Sequence, residues 1–244
     1  MCDGLTTAGR LPSTARAVSA LAARANPRCY DGIVTHLTAL RTAAALALAG
    51  LLSALAGVPA AAAPRTEKAV LAGGCFWGME AVFDELRGVT NVVSGFSGGA
   101  SATAHYDMVS TGTTGHAESV EITYDPAVVS YKQLLQVYFT VAHDPTELDY
   151  QGPDHGTQYR SAIFYASPEQ KRVAEAEIRE LTAAHAFNAP IVTKLVPLRA
   201  FYPAEAYHQH FVARNPDYPY VVYNDLPKLK TLREKYPGLL KAHA

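Results

Sequence analysis

Cys75 stands out by its company: it follows Gly73 and Gly74 and precedes Phe76 and Trp77, the only tryptophan of the chain. The apolar run over 68–72 reads as a strand, and Phe76, Met79, Val82, Phe83 and Leu86 then recur at helical spacing up to Gly88. The spacing predicts that Cys75 sits at a helix amino terminus, where orphan backbone N–H groups and the helix dipole favour negative charge. A thiol is a nucleophile only as thiolate, and a free Cys with a pKa of roughly 8.5 is only a few per cent ionised near neutrality, so this placement is expected to help. Gly73 and Gly74 leave the backbone open to a substrate, and Phe76 with Trp77 offers an aromatic wall suited to a small apolar group such as a methyl. The bland alternative is an inert Cys filling a core gap, with the aromatics simply part of the core.

The same residues admit other chemistries. A thiol hydrolase or acyl transferase would pair Cys75 with His116 or His143 as base, yet no third residue to orient that base is identifiable. His208 and His210 do not read as a metal site, because two residues along a helix point the rings apart. His208 is expected to be packed and hydrogen-bonded, His210 to lie on the surface. A non-enzymatic exported binding module is the remaining class.

The run Gly-Gly-Cys-Phe-Trp-Gly-Met-Glu at 73–80 closely resembles the active-site signature of the type A methionine sulfoxide reductases, in their form with a single catalytic cysteine. Gly-Phe-Ser-Gly-Gly at 95–99, His-Tyr at 105–106, Thr-Gly-His-Ala-Glu at 114–118, Gly-Pro-Asp-His-Gly-Thr-Gln-Tyr-Arg-Ser at 152–161 and Tyr-His-Gln at 207–209 resemble further family segments in order and spacing. Two departures stand beside this: Phe96 replaces a tyrosine of the family pattern, and the carboxy-terminal region holds no cysteine.

The resemblance implies that Cys75 is the nucleophile, Glu118 the acid, and Tyr106 and Tyr159 the hydrogen-bond donors to a sulfoxide oxygen. It also implies that Asp154 is a polar group of the substrate pocket, beside Phe76 and Trp77 around the substrate methyl. The activity implied is reduction of the S epimer of methionine sulfoxide, free or in peptides, for repair of oxidised proteins. It would proceed through a sulfenic acid on Cys75, with no bound cofactor. Without a resolving cysteine, the reductant is expected to be external: a small thiol, or a thioredoxin-like or glutaredoxin-like partner.

These side chains need a frame. Strand patterns over 89–96, 117–124, 159–165 and 191–197 alternate with helical patterns over 168–185, 204–214 and 226–236, and Ser130 caps a further helix carrying Leu134, Leu135, Tyr138 and Val141. Ser167, Pro168 and Gln170 read as a capping box, and 143–156 as a loop. The predicted fold is α+β: one domain, a two-layer α/β sandwich with a mixed, largely antiparallel sheet and a ferredoxin-like core.

The first sixty residues differ from the rest. Residues 42–64 carry no charge, Arg41 precedes them, and four alanines at 60–63 supply a small-residue cleavage pattern. Residues 1–62 are therefore expected to be a leader and signal peptide, cut after Ala62, with 63–244 as the catalytic domain; a membrane anchor is the competing reading. The exported, periplasmic or extracellular product would keep only Cys75 of Cys2, Cys29 and Cys75, which excludes a disulfide-stapled fold. Losing five arginines and two aspartates leaves it mildly acidic, which argues against a nucleic-acid partner. Oxidised proteins and the thiol reductant are the expected partners, with the chain itself a monomer.

Overall fold

The computed structural model describes residues 65–242; the leader and signal peptide expected over 1–62 lie outside the described residues. The sheet begins with β1 (Glu67–Ala72), which runs through Gly73 and Gly74 into α1 (Phe76–Asp84). β2 (Val89–Ser97) and β3 (Ala117–Tyr124) form an antiparallel pair, with the short helix α2 (Tyr106–Val109) in the connection. After α3 (Tyr131–Val137) a π-helical turn covers Tyr138–Ala142, and two short strands, β4 (Tyr150–Gln151) and β5 (Asp154–His155), pair with each other. β6 (Ala162–Tyr165), α4 (Pro168–Ala183), β7 (Lys194–Pro197), β8 (Phe201–Pro203), α5 (Phe211–Arg214) and α6 (Leu226–Lys235) complete the chain.

The main sheet has the order β7-β6-β1-β3-β2-β8. All neighbours are antiparallel except β6 and β7, which are joined by a crossover through α4. The inner four strands, with α1 and α3 in the connections, have the ferredoxin-like β-α-β-β-α-β order, so the expected α+β frame is what forms.

Strand period decides which side chains meet the helices. On β3, Val120, Ile122 and Tyr124 enter the larger core with Leu71, Val82, Phe83 and Leu134, while Ala117 joins Val70, Ala72, Ala162 and Phe164 on the opposite face. Leu71, Phe83, Ile122 and Leu134 are fully buried, each worth about 1.5–3 kcal/mol. Glu118 shares the Val120–Ile122 side, so the sheet itself aims a carboxyl into the helix-side core.

Helix ends follow local chemistry with one exchange. Ser130 and Gln133 form a reciprocal capping box at α3. At α4 the Ser167 hydroxyl accepts from the Gln170 N–H, but the Gln170 side chain serves Ala166 N–H and Lys68 O instead of closing the expected box.

The helix expected over 204–214 is reduced to α5. The Gln209 amide pairs with both backbone groups of Ser94 on β2, and both Glu80 oxygens accept the His210 N–H, holding His210 at φ 51°. These side-chain bonds to backbone displace the helical ladder.

Candidate active site

Cys75 is the N-cap residue of α1 and 8% exposed. The turn that delivers it is built from glycines: Gly74 has φ +88°, its N–H donates to Tyr159 O at 3.1 Å, and a Cβ there would lie 2.5 Å from Gln151 Cγ. Gly73 packs so closely on the His143 ring that a Cβ would approach it to 2.7 Å. The first α1 N–H groups are used locally. Phe76 N–H donates to Glu118 Oε2 at 3.1 Å, and the Trp77 N–H bonds the Cys75 sulfur.

The helix terminus does not by itself make a thiolate. Burial, then the charges of Glu118, Asp225 and Asp154, push the Cys75 thiol well above its ordinary value, and they outweigh the Trp77 N–H. This corrects the expectation from sequence, because three carboxyl groups surround one helix dipole.

Glu118 is 2% exposed, and burial, helped by the charge of Asp154, raises its pKa to about 8. It is therefore a neutral acid near pH 7. Its cross-strand partner is Phe96, fully buried and 5.8 Å from the Phe76 ring, so the family tyrosine replaced here becomes part of an apolar wall beside the carboxyl.

Tyr106 begins α2, with its N–H held by Glu205 at 3.0 Å, and Tyr159 closes the 3-10 turn Thr157–Tyr159. Neither hydroxyl is engaged by another described residue. Burial raises both phenols, Tyr106 to about 12, and each also feels the charges of Glu118, Cys75 and Asp154.

Asp154 on β5 accepts a short hydrogen bond from the Tyr220 hydroxyl, and burial raises its carboxyl. Trp77 stacks on Phe211 at 3.7 Å and donates from Nε1 to His208 Nδ1 at 3.1 Å. Phe76 lies 5.0 Å from the His208 ring and Tyr106 4.4 Å from it. The structure thus gathers all seven residues singled out from sequence around one thiol. His208 is buried as expected, while His210 is largely exposed and pairs with Glu80 at 3.2 Å.

The two histidine bases of the hydrolase reading are spoken for. His143 Nδ1–H donates to Tyr138 O at 2.9 Å and Nε2 accepts from the Ser161 hydroxyl at 2.7 Å; burial lowers its pKa to about 4. His116 accepts from Gly99 N–H at 3.2 Å and donates from Nε2 to Ala100 O at 3.0 Å. Neither ring has a lone pair free for Cys75.

Sequence reasoning missed two residues. Tyr220 binds Asp154 and meets Trp77 edge-on at 5.8 Å; the aromatic density of Tyr218-Pro219-Tyr220 was its only signal. Asp225 precedes Leu226-Pro227 and reads as an ordinary helix cap, yet it is fully buried and caps nothing.

A buried thiol facing a neutral carboxylic acid and two free phenols, on an α+β frame, defines a thiol oxidoreductase site that handles a polar oxygen next to an apolar group. Residues 67–239 match the peptide methionine sulfoxide reductase family. The chain is 57% identical over 178 residues to peptide methionine sulfoxide reductase MsrA 2 of Mesorhizobium japonicum, covering 73% of this chain and 91% of that one. It is 58% identical to MsrA 2 of Synechocystis sp., covering 73% and 84%. Among solved structures it resembles methionine sulfoxide reductase A of Corynebacterium diphtheriae, with TM-score 0.54, 38% identity, and coverage of 64% of this chain and 77% of that one. The chain belongs to the peptide methionine sulfoxide reductase family.

Proposed function

We propose that this chain reduces the S epimer of methionine sulfoxide in oxidised proteins, with Cys75 as nucleophile and Glu118 as acid. The observation that carries this reading is the Glu118 carboxyl, protonated near neutrality and bonded to the backbone one residue from the thiol. Phe76 and Trp77 hold the sulfoxide methyl, while Tyr106, Tyr159 and Glu118 donate to its oxygen. These donors draw electrons from the sulfoxide sulfur and so promote attack by Cys75. Cys75 gives up its proton in the course of that attack, since the resting site disfavours a free thiolate.

Oxygen passes to the cysteine sulfur, which is oxidised to the sulfenic acid, and the substrate sulfur is reduced to the thioether. The thiol proton ends on the transferred oxygen, by way of Glu118. An external thiol then attacks Cys75, water leaves, and a second thiol releases the disulfide. Asp154, held by Tyr220, is a further polar group of the substrate pocket.

The charge-free stretch and alanine cluster before the domain support export to the periplasm or beyond. A thioredoxin-like or glutaredoxin-like protein, or a small thiol, supplies the electrons.

The test is a dithiothreitol-driven assay on separated epimers of a methionine sulfoxide peptide, with Cys75→Ser alongside. Turnover of the S epimer alone, abolished in the variant, is expected. A folded protein that turns over neither epimer would return the site to thiol hydrolysis.

A further inference from the structure

Asp225 is an aspartate in the wrong place for its sequence. It is the last residue of the π-helical turn Val221–Asp225, which runs directly into α6, so its backbone is already helical and its side chain makes no capping bond. Its residue is 0% exposed, and neither carboxyl oxygen receives a hydrogen bond from any described residue. A buried carboxyl that receives no hydrogen bond is unfavourable, so packing alone gives no reason for it.

The carboxyl is turned onto the catalytic helix. A Cβ on Gly78 would fall 2.2 Å from Asp225 Oδ1 and 3.1 Å from Lys228 Nζ, so glycine there is what admits both groups to the first turn of α1. Lys228 Nζ lies 3.9 Å from Oδ1, beyond hydrogen-bonding reach, with a side chain only 19% exposed. The buried pair therefore sits behind the turn whose N–H groups serve Glu118 and the Cys75 sulfur.

We propose that Asp225 and Lys228 are positioning residues that set the ionisation of the Cys75 thiol, Asp225 opposing the thiolate and Lys228 partly cancelling it. The proposal rests on the reading of Cys75 as nucleophile. The other groups bearing on Cys75 are Glu118 from β3, Asp154 from β5 and Tyr106, Tyr159 and Tyr220 from the rim; Asp225 itself faces Lys228, Asp154 and Tyr220. Of these, only Lys228 is a cation. The arrangement keeps Cys75 as a thiol at rest.

The two residues must act with opposite sign, and that separates a charge role from mere packing. In the full chain, iodoacetamide labelling of the Cys75 peptide is followed by mass spectrometry as a function of pH for wild type, Asp225→Asn and Lys228→Met. Asp225→Asn is expected to move the labelling midpoint to lower pH and to speed labelling at pH 7.5 by about threefold or more. Lys228→Met is expected to move it to higher pH and slow labelling by a similar factor.

Midpoints unchanged in both variants, or moved the same way in both, overturn the proposal. Should Asp225→Asn fail to fold, Lys228→Met decides alone, upward shift for and no shift or downward shift against. Labelling reads the thiol itself, so this result stands apart from the Cys75→Ser assay, whose failure would remove the reductase reading instead.

Discussion

Glu118 shows how a single side chain divides stability from activity. In the unfolded chain it titrates near 4.5 and in the folded chain near 8, because burial removes the carboxylate from water. Between those values the unfolded chain releases a proton that the folded chain keeps, so folding weakens as pH rises across this window and levels off above it. Each tenfold difference in proton affinity is about 1.4 kcal/mol, which makes the full penalty several kcal/mol. Glu118→Gln keeps an oxygen for the Phe76 N–H and removes the ionisation. The variant is expected to melt higher than wild type at pH 8.5, with the advantage shrinking toward pH 4.5, while kcat falls by roughly 10²- to 10⁴-fold. Wild-type activity should also decline as pH rises through about 8. Equal melting temperatures at pH 8.5, or a kcat within a few-fold of wild type, would show that the carboxyl is neither strained nor the acid. The seven candidate residues were legible because they fall in runs that resemble family segments in order and spacing; Asp225 was not, because it lies outside those runs and only the tertiary fold turns it inward.

At the scale of elements, the site depends on one strand-to-helix turn more than on any helix. Gly74 is held at φ +88°, and the nearest atom to a Cβ is in Gln151, whose amide is itself committed to the backbone of Asp144 on both sides. Gly74→Ala therefore meets two costs, a left-handed backbone with a side chain at about 1–2 kcal/mol and a clash with a group that is not free to move. Thermal unfolding should show a loss of about 1–3 kcal/mol. Because the strain bears directly on Cys75, kcat/KM should fall more steeply than the folded fraction; a variant that loses stability yet keeps full activity would show that the turn supports the fold without aiming the thiol.

β1 was readable as a short apolar run, β3 from alternation, and α4 from its cap and periodicity. The hairpin of β4 and β5 was hidden in a loop rich in Asp, Pro and Gly, since two-residue strands carry no period. The 204–214 segment misled for a different reason: its helical pattern is genuine, but Gln209 and Glu80 act across more than a hundred residues of sequence, beyond the reach of local reading.

For the whole molecule, the decisive feature is a thiol with no partner thiol among the described residues. Of Cys2, Cys29 and Cys75, only Cys75 lies in the described domain, and it is nearly buried beneath the aromatic rim. A sulfenic acid formed there has no second cysteine among the described residues with which to condense, so the domain by itself would depend on an external reductant small or shaped enough to reach Cys75. This predicts a single-turnover signature. On the proposed reading that the leader is removed, protein whose amino terminus mass spectrometry places at residue 63 should release one methionine per chain when mixed with excess sulfoxide in the absence of thiol. Dimedone added at that point should label Cys75, and reductant added instead should restore turnover at a rate that rises with its concentration. Loss of dimedone reactivity to a disulfide would mean that a second thiol reaches Cys75, and release of two methionines per chain would require two further thiols, one to condense with the sulfenic acid and one to free Cys75 for a second turnover. In a chain that begins at residue 63 such a thiol could come only from another molecule, whereas a chain that retains its leader also carries Cys2 and Cys29.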